Sequence, residues 1–373
     1  MGCCAKKKPQ KQLLINGNDR YEDQTEEQVK LTYEDFTPLK LLGRGSYGQV
    51  CLVRMKANNK LYAMKVLVKS VLKEKHQEIH TITERDLMVK VNCPFIVNIK
   101  SAFQDSKYLF IISDFIQGGD LYYHLHESRV FDFSKAQFYL AEITLALEYL
   151  HNNNMIYRDL KPENILIDSQ GHIKLTDFGL SKMLNSSDER SFTLCGTLQY
   201  IAPEMFERKG YDKMIDWWSL GCLMYEMFAG KFAFQIKRNQ KIDLELYKKK
   251  LQFPRHMDED AKDLINKLLV IDPKKRIGYG PNGSENIKKH LFFEGINWDD
   301  IWNKKTEPPF VPELDDEMDL RYFEKQFTDE PIESFTKNMR ARETSFEYRN
   351  FSFVTNSIKQ ELMIIKDDTN KDE

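Results

Sequence analysis

The sequence predicts an α+β chain of two lobes, a small β-sheet lobe followed by a larger, mainly helical one. Three observations carry that reading. From Phe36 onward apolar residues recur with period two, the pattern of half-buried strands. From Phe133 to Leu150 the apolar spacing is helical, and helical apolar sequence resumes from Asp216 to about Phe293. Between the two regimes Gln117-Gly118-Gly119 breaks the chain, as a hinge does. With 373 residues, 41% of them hydrophobic and 12% aromatic, the chain can bury a sizeable core. A net charge of −2 gives no global pull toward nucleic acid. The six cysteines (3, 4, 51, 93, 195, 222) lack metal-ligand spacing and read as free thiols of a reducing, intracellular compartment. No apolar run reaches the length of a bilayer span, and no fixed-period repeat is present.

Residues 1–11, MGCCAKKKPQK, form a module of their own. Gly2 behind the initiator Met is a candidate for myristoylation, although Lys6 stands where the usual signal has Ser or Thr. A single myristoyl chain binds membranes with K of only about 10⁴ M⁻¹, so anchoring needs a second signal. Cys3 and Cys4 offer palmitoylation, and Lys6, Lys7, Lys8 and Lys11 each add roughly 1 kcal/mol at an anionic leaflet. The plainer alternative is a terminus with two exposed thiols. Residues 16–34 are polar and acidic and read as linker.

Phe36–Leu42, GRGSYG and Gln49–Arg54 read as strand, glycine loop and strand. A dinucleotide-binding fingerprint would open a helix after Gly43, Gly45 and Gly48, whereas a β-branched strand follows here; the Lys-Ser/Thr of the other common phosphate loop is absent. A glycine flap over phosphates, between two strands, remains. Leu61–Val68 is a third strand, and Lys65 inside it is costly to bury without a partner. Glu74–Val91 is predicted as one helix ended by Asn92-Cys93-Pro94, with His80, Glu84 and Met88 on a single stripe. Glu84 is the chosen partner of Lys65. Ile96–Phe103 and Tyr108–Phe115 are two further strands before the hinge.

The helix from Phe133 leads into Tyr157–Asn164, YRDLKPEN, a polar loop held between apolar runs. Asp159 can accept a proton, Lys161 can neutralise an anion, and Asn164 can bind a hard cation through its oxygen. Those are the parts that phosphoryl transfer requires; a charged surface turn is the bland alternative. Asn164–Ile167 and His172–Leu175 read as a hairpin around Asp168–Gly171, followed by Asp177-Phe178-Gly179, where the acid suits a second metal ligand. Ser181–Ser191 is loop-like, Ala202-Pro203-Glu204 precedes the helical region, and the last 80 or so residues read as irregular, dotted with Pro and aromatics.

Glycine loop, strand lysine, helix glutamate, YRDLKPEN, DFG and APE stand in the order and spacing of a eukaryotic protein kinase, and the match covers residues 36 to about 353. Cys195-Gly196-Thr197, Asp216–Gly221 (DWWSLG) and the tail INWDDI…EPPFVPEL resemble the AGC group of serine/threonine kinases, nearest its ribosomal-protein-kinase branch. The resemblance implies a bilobal kinase fold, with an antiparallel small-lobe sheet carrying one helix. It divides the chain into an N-terminal lipidation and linker segment (1–35), the small lobe (36–116), the large lobe (117–295) and a regulatory tail (296–373). It implies ATP and Mg²⁺ as cofactors. ATP would lie against Leu42, Gly43, Gly45, Gly48, Val50, Ala63, Ser113, Asp114, Ile116 and Leu166, with Lys65, paired to Glu84, on its α- and β-phosphates. Asn164 and Asp177 would hold the metal, Asp159 would accept the substrate proton, and Lys161 would sit by the transferring phosphate. Lys161 two residues after Asp159 resembles Ser/Thr rather than tyrosine kinases.

The same resemblance implies regulation and specificity. His80, Arg158 and Lys182 would form a cationic cluster without an anion, which phosphorylated Thr193 would fill and so order its loop. Ser334 in EPIES and Ser352 in Tyr348–Phe353 would be tail phosphosites, the latter in a motif whose two aromatics plug a pocket beside the Glu84 helix. Asp120, Glu163 and Glu226 would bind arginines at substrate positions −3 and −2; Leu198 and Gln199 stand where relatives carry Pro and Glu, so one acid near the peptide groove is lost. Ser113 falls at the gatekeeper position, where its size would admit bulky N6-substituted ATP analogues. Glu204 and Arg276 would make a structural ion pair. The expected partners are basic protein substrates, an upstream kinase of the phosphoinositide-dependent type and a membrane reached through the N-terminus, for a cytoplasmic, membrane-associated monomer that binds no nucleic acid. The alternative is a membrane-tethered, nucleotide-binding scaffold, a pseudokinase, against which intact Asp159, Asn164 and Asp177 argue; an oxidoreductase reading fails at the strand after the glycine loop.

Overall fold

The period-two runs close into one antiparallel sheet. The computed structural model describes residues 29–369, apart from 46, 76, 185, 187–188, 208, 237–243 and 333–346. β1 (Phe36–Arg44), β2 (Gly48–Met55), β3 (Leu61–Val68), β4 (Ile99–Gln104) and β5 (Tyr108–Asp114) pair in the order β1-β2-β3-β5-β4, with a tail strand at the β4 edge. Strand alternation gives this sheet two faces. Cys51, Val53, Tyr62, Met64 and Ile112 are fully buried on the outer face, while Val50, Ala63 and Lys65 are only half-buried on the face turned to the large lobe.

The helix predicted at 74–91 is α2 (Glu78–Lys90), which starts four residues later, and a short helix the sequence reading did not name, α1 (Lys69–Glu74), precedes it. Gln77 N–H donates back to Leu72 O (2.8 Å) and closes α1. The polar stretch after Leu72 offers no apolar stripe on which one helix could continue. The strand expected from Ile96 begins at Ile99; Ile96 instead bridges to Leu175 of the large lobe.

The large lobe is built on α3 (Leu121–Ser128), α4 (Phe133–Asn152), α5 (Met214–Ala229), α6 (Glu259–Leu268) and α7 (Gly283–Lys288). Short strands β6 (Met155–Ile156) and β9 (Lys182–Met183) pair, as do β7 (Ile165–Ile167) and β8 (Ile173–Leu175), and these two strand pairs frame the YRDLKPEN loop. Trp217 and Trp218 on α5 are fully buried, and the Arg276 guanidinium pairs with Glu204 at 2.7 and 2.9 Å beneath them. The ion pair expected from the sequence is therefore formed.

The tail is less irregular than the sequence suggests. It carries α8 (Trp298–Trp302), α9 (Lys325–Thr328), the edge strand β10 (Phe353–Val354) and a fourteen-residue helix, α10 (Asn356–Thr369). It binds the large lobe through Lys304 and Asp168 (2.8 Å) and then crosses the hinge. There Gln117 Nε2 donates to Asp319 O (3.2 Å) and Phe323 stacks on Phe115. It reaches the glycine strand where Lys40 Nζ donates to Thr328 O (3.0 Å). Gly119 permits that crossing: its φ is +76°, and a Cβ there would meet Tyr322 O at 2.6 Å.

Candidate active site

The cleft between the lobes gathers the predicted residues. Sheet register places Val50 opposite Lys65, and Ala63 opposite Ser113, so one strip of the lower face presents Val50, Ala63, Lys65 and Ser113 together. Leu42 and Leu166 are half-buried and Ile116 is buried, which completes an apolar slot of adenine type. Small Ala63 faces small Ser113 across the ladder. Asp114 ends β5 with its carboxylate paired to Lys100 (3.0 Å). Gly43 and Gly45 have open space above them, whereas Gly48 is required by packing: a Cβ there would sit 1.8 Å from Val66 O.

Lys65 is paired twice. Its ammonium donates to Glu84 Oε1 (2.7 Å) and to Asp177 Oδ1 (3.1 Å). Burial works against the Lys65 charge, but Asp177 and Glu84 outweigh it and hold the ammonium above its ordinary range. The Lys65 charge keeps Asp177 below the usual carboxylate range, while burial pushes Glu84 up against the same pull. Asp177 has φ +56°, a left-handed conformation uncommon for a non-glycine residue, and is the exposed member of the trio.

The YRDLKPEN loop is held from behind. Asp216, fully buried on α5, accepts from the backbone N–H groups of Tyr157 (2.9 Å) and Arg158 (2.8 Å) and from His151 Nε2 (2.8 Å). Arg158 takes φ +71° there. In front, Asp159 is clamped: Thr197 Oγ1 donates to Oδ1 (3.0 Å), Asn164 Nδ2 donates to Oδ2 (2.9 Å), and Lys161 Nζ lies 3.3 Å from Oδ2. Lys161 also donates to Thr197 Oγ1 (3.1 Å). With its NH₂ group given to Asp159, Asn164 offers its amide oxygen as a ligating atom. Asn164 and Asp177 are oxygen donors, which suit a hard divalent cation that takes its other ligands from phosphate and water. Among the described residues no cluster of three or more His, Cys, Asp or Glu side chains could hold a metal alone.

The cationic cluster differs from expectation. Lys182 is paired with Glu189 (3.0 Å), so it is not without an anion. Glu189 comes from the same loop, seven residues on, and only the fold of that loop brings it back. Arg158 meets neutral acceptors, Ser191 Oγ and Tyr211 OH at 3.2 Å and the carbonyls of Leu180 and Ser181. Tyr211 OH donates on to Thr193 O (2.6 Å), and Thr193 itself is exposed. The side chain of His80, together with Ser334, Gly2, Cys3 and Cys4, lies outside the described residues.

The three acids assigned to arginine recognition have unlike surroundings. Glu163 is exposed. Asp120 caps α3 by accepting from Tyr123 N (2.8 Å), and burial, with Glu163 and Glu324 nearby, pushes it up to about 6. Glu226 is buried on α5 and accepts from Tyr200 OH; burial pushes it to about 7 despite that bond. In the tail, Tyr348 and Phe351 are fully buried and Ser352 is exposed. The motif lies beside α2, where Arg85 Nη2 donates to Asn350 O (2.5 Å), and on β4, where Gln104 exchanges hydrogen bonds with the Tyr348 backbone (2.8 and 3.0 Å).

Sequence reasoning assigned no role to Asp216, Thr197, Tyr200 or Tyr211. A trace of Asp216 was readable, as an acid inside the apolar run MIDWWSLG.

Residues 36–293 match the family described as protein kinase domain. The RAC-beta serine/threonine-protein kinase of Rattus norvegicus is 44% identical over 304 residues, covering 82% of this chain and 63% of that protein. Serine/threonine-protein kinase Sgk1-A of Xenopus laevis is 43% identical over 333 residues, covering 87% of this chain and 76% of that protein. The chain thus spans just over three-fifths of the length of the RAC-beta relatives it matches. It belongs to the protein kinase family, in the AGC group whose motifs its sequence carries.

Proposed function

We propose that the chain is a serine/threonine protein kinase that transfers the γ-phosphate of ATP to hydroxyls in basic protein substrates. One observation carries this reading: Lys65, Glu84 and Asp177 form a single ion-paired unit on the face of the cleft opposite a clamped Asp159. Asn164 and Asp177 would hold Mg²⁺ and Lys65 would hold the phosphates of ATP; the nucleotide would supply the phosphoryl group and the metal would neutralise its charge. Asp159 has one oxygen fixed by Thr197 and the other by Asn164 and Lys161, which aims the carboxylate at a substrate hydroxyl. It orients that hydroxyl and takes its proton as the new P–O bond forms and the bond from the γ-phosphorus to the ADP leaving group breaks, while Lys161 faces the moving negative charge. A scaffold that binds nucleotide without transfer needs none of this alignment. Phosphate transfer onto a positional peptide library tests the proposal. Selection of Arg at −3 and −2 supports it; transfer without Arg selection overturns the substrate reading, and no transfer to any Ser or Thr peptide overturns the function.

The acids make substrate binding pH-dependent. A guanidinium favours the carboxylate form, and Asp120 and Glu226 lose that form as pH falls through about 6 and about 7. The expected result is a KM for an Arg(−3)/Arg(−2) peptide that rises several-fold between pH 7.5 and 6.0. The KM of the Ala-substituted peptide should stay flat. Parallel curves for the two peptides would remove these acids from arginine recognition.

Activation is proposed to run through Thr193. A phosphate there carries about −1.5 to −2 charges and would draw on Arg158, which among the described residues meets neutral acceptors, and on Lys182 in competition with Glu189. Thr193→Ala is expected to lose most activity, measured after incubation with an activating kinase; turnover at the wild-type level refutes it. Tethering through acylated Gly2, Cys3 and Cys4 is proposed from the sequence alone. No helix among the described residues is long and apolar enough to cross a membrane.

A further inference from the structure

The outer face of the small-lobe sheet, with Cys51, Val53, Tyr62, Met64 and Ile112, is apolar and must be covered. Its cover comes from outside the lobe. Leu31 on one side and Ile358 and Leu362 of α10 on the other lie in one cluster with Phe36, Tyr62, Met64, Phe110 and Ile112. Ile358 and Leu362 are four residues apart on one stripe of α10, exposed by only 2% and 9%. Between them Glu361 fixes the register: its carboxylate accepts from Asn58 Nδ2 and from Lys60 Nζ, each at 2.9 Å, at the β2–β3 turn. Asn58 in turn donates to Tyr62 OH (2.9 Å) beneath the helix. A matched apolar stripe with a charged anchor marks a built docking surface.

That surface is tied to the active site by a short length of chain. Only Ser352–Ser357 separate Phe351, in its pocket, from Ile358 on α10. Those residues are themselves pinned: Phe353 and Val354 pair with Ala102 and Ser101 of β4, and Thr355 N donates to Lys100 O (2.9 Å). The Arg85 guanidinium lies over both Phe351 and Phe353 and belongs to α2, one residue on from Glu84. We infer that α10 is a latch: docked on the outer face, it holds the Tyr348–Phe353 motif in place and thereby keeps α2 positioned for the Lys65–Glu84 pair. A short tether makes motif docking intramolecular, at an effective concentration of roughly millimolar or more, and undocking α10 removes that advantage. The activity arm of the test rests on the kinase reading above; the structural arm does not.

The test is hydrogen exchange on the full chain without nucleotide or peptide, alongside peptide phosphorylation. Ile358→Asp with Leu362→Asp is expected to speed exchange at residues 348–354 by roughly tenfold or more, with β2 and β3 protected as in wild type, and to lower kcat several-fold. Glu361→Lys and Lys60→Glu singly should show smaller increases, which the charge-swapped pair reverses. Faster exchange in α10 with unchanged protection at 348–354 overturns the latch. Should the double Asp variant fail to fold, the charge series decides: a swapped pair no better protected than either single overturns it. Raised exchange with full kcat would overturn the link to Glu84. Raised exchange in a chain that shows no phosphate transfer even as wild type would leave the latch standing and refute the kinase reading.

Discussion

Asp159→Asn is expected to lower kcat by about 10²–10⁴-fold, the range that a positioned general base supplies. KM for ATP should change little, because Lys65, Glu84 and Asp177 are untouched. The substitution keeps shape and removes the negative charge that attracts and accepts the hydroxyl proton. It also turns one Oδ2 acceptor into an NH₂ group facing Asn164 Nδ2 and Lys161 Nζ, two donors that then lose their partner. That mismatch costs about 1–3 kcal/mol and leaves the domain folded. Single-turnover transfer to a peptide, read with thermal denaturation, separates the two effects. Equal transfer rates in wild type and variant would remove Asp159 from the chemistry.

Asp216→Ala is expected to harm stability and activity together. It strands three buried donors at once, the N–H groups of Tyr157 and Arg158 and the His151 ring. With about 1–3 kcal/mol for each unsatisfied group, partly relieved by entering water, a loss of about 3–5 kcal/mol follows. That is a large share of the 5–15 kcal/mol by which domains of this kind are stable, and a fall in Tm of about 10 °C is expected. The same bonds hold Arg158 at φ +71°, so Asp159 loses its placement even in molecules that stay folded. Asp216→Asn, which keeps one acceptor, should fall between wild type and the Ala variant in both measurements. A Tm within 2–3 °C of wild type for Asp216→Ala, about what a 1 kcal/mol loss would give, refutes the account.

The legible part of the site was the part with a local cost. Lys65 stands in an apolar strand, so the sequence demanded a partner, and helical spacing put Glu84 forward; the two meet at 2.7 Å. The strands were legible because one face of each is buried. Asp216 was legible only as an acid in an apolar run; its role was not, because its bonds go to backbone N–H groups and to a ring donated by segments brought together only by folding. Backbone donors leave no mark on residue identity. Glu189 was missed as the Lys182 partner because pairing on a curved loop obeys no fixed spacing. The α10 stripe of Ile358, Leu362 and Ile365 was present in the sequence, but the proline- and aromatic-rich stretch before it set the reading of the whole tail. α1 was missed because it is six residues long and follows β3 directly, with no capping side chain to mark its start.

The strap that crosses Gly119 has a mechanical consequence. Two lobes joined by one hinge strand form a simple lever, free to swing until surfaces collide. Here a second connection starts on the large lobe at Lys304, passes the fulcrum at Phe115 and Gln117, and is fastened to the glycine strand through Thr328 and through Glu330, which pairs with Arg44. A lever restrained beyond its fulcrum has a bounded arc. Any wider opening of the cleft must therefore stretch or unfasten the strap at Lys40 and Arg44, on the strand that leads into the glycine loop.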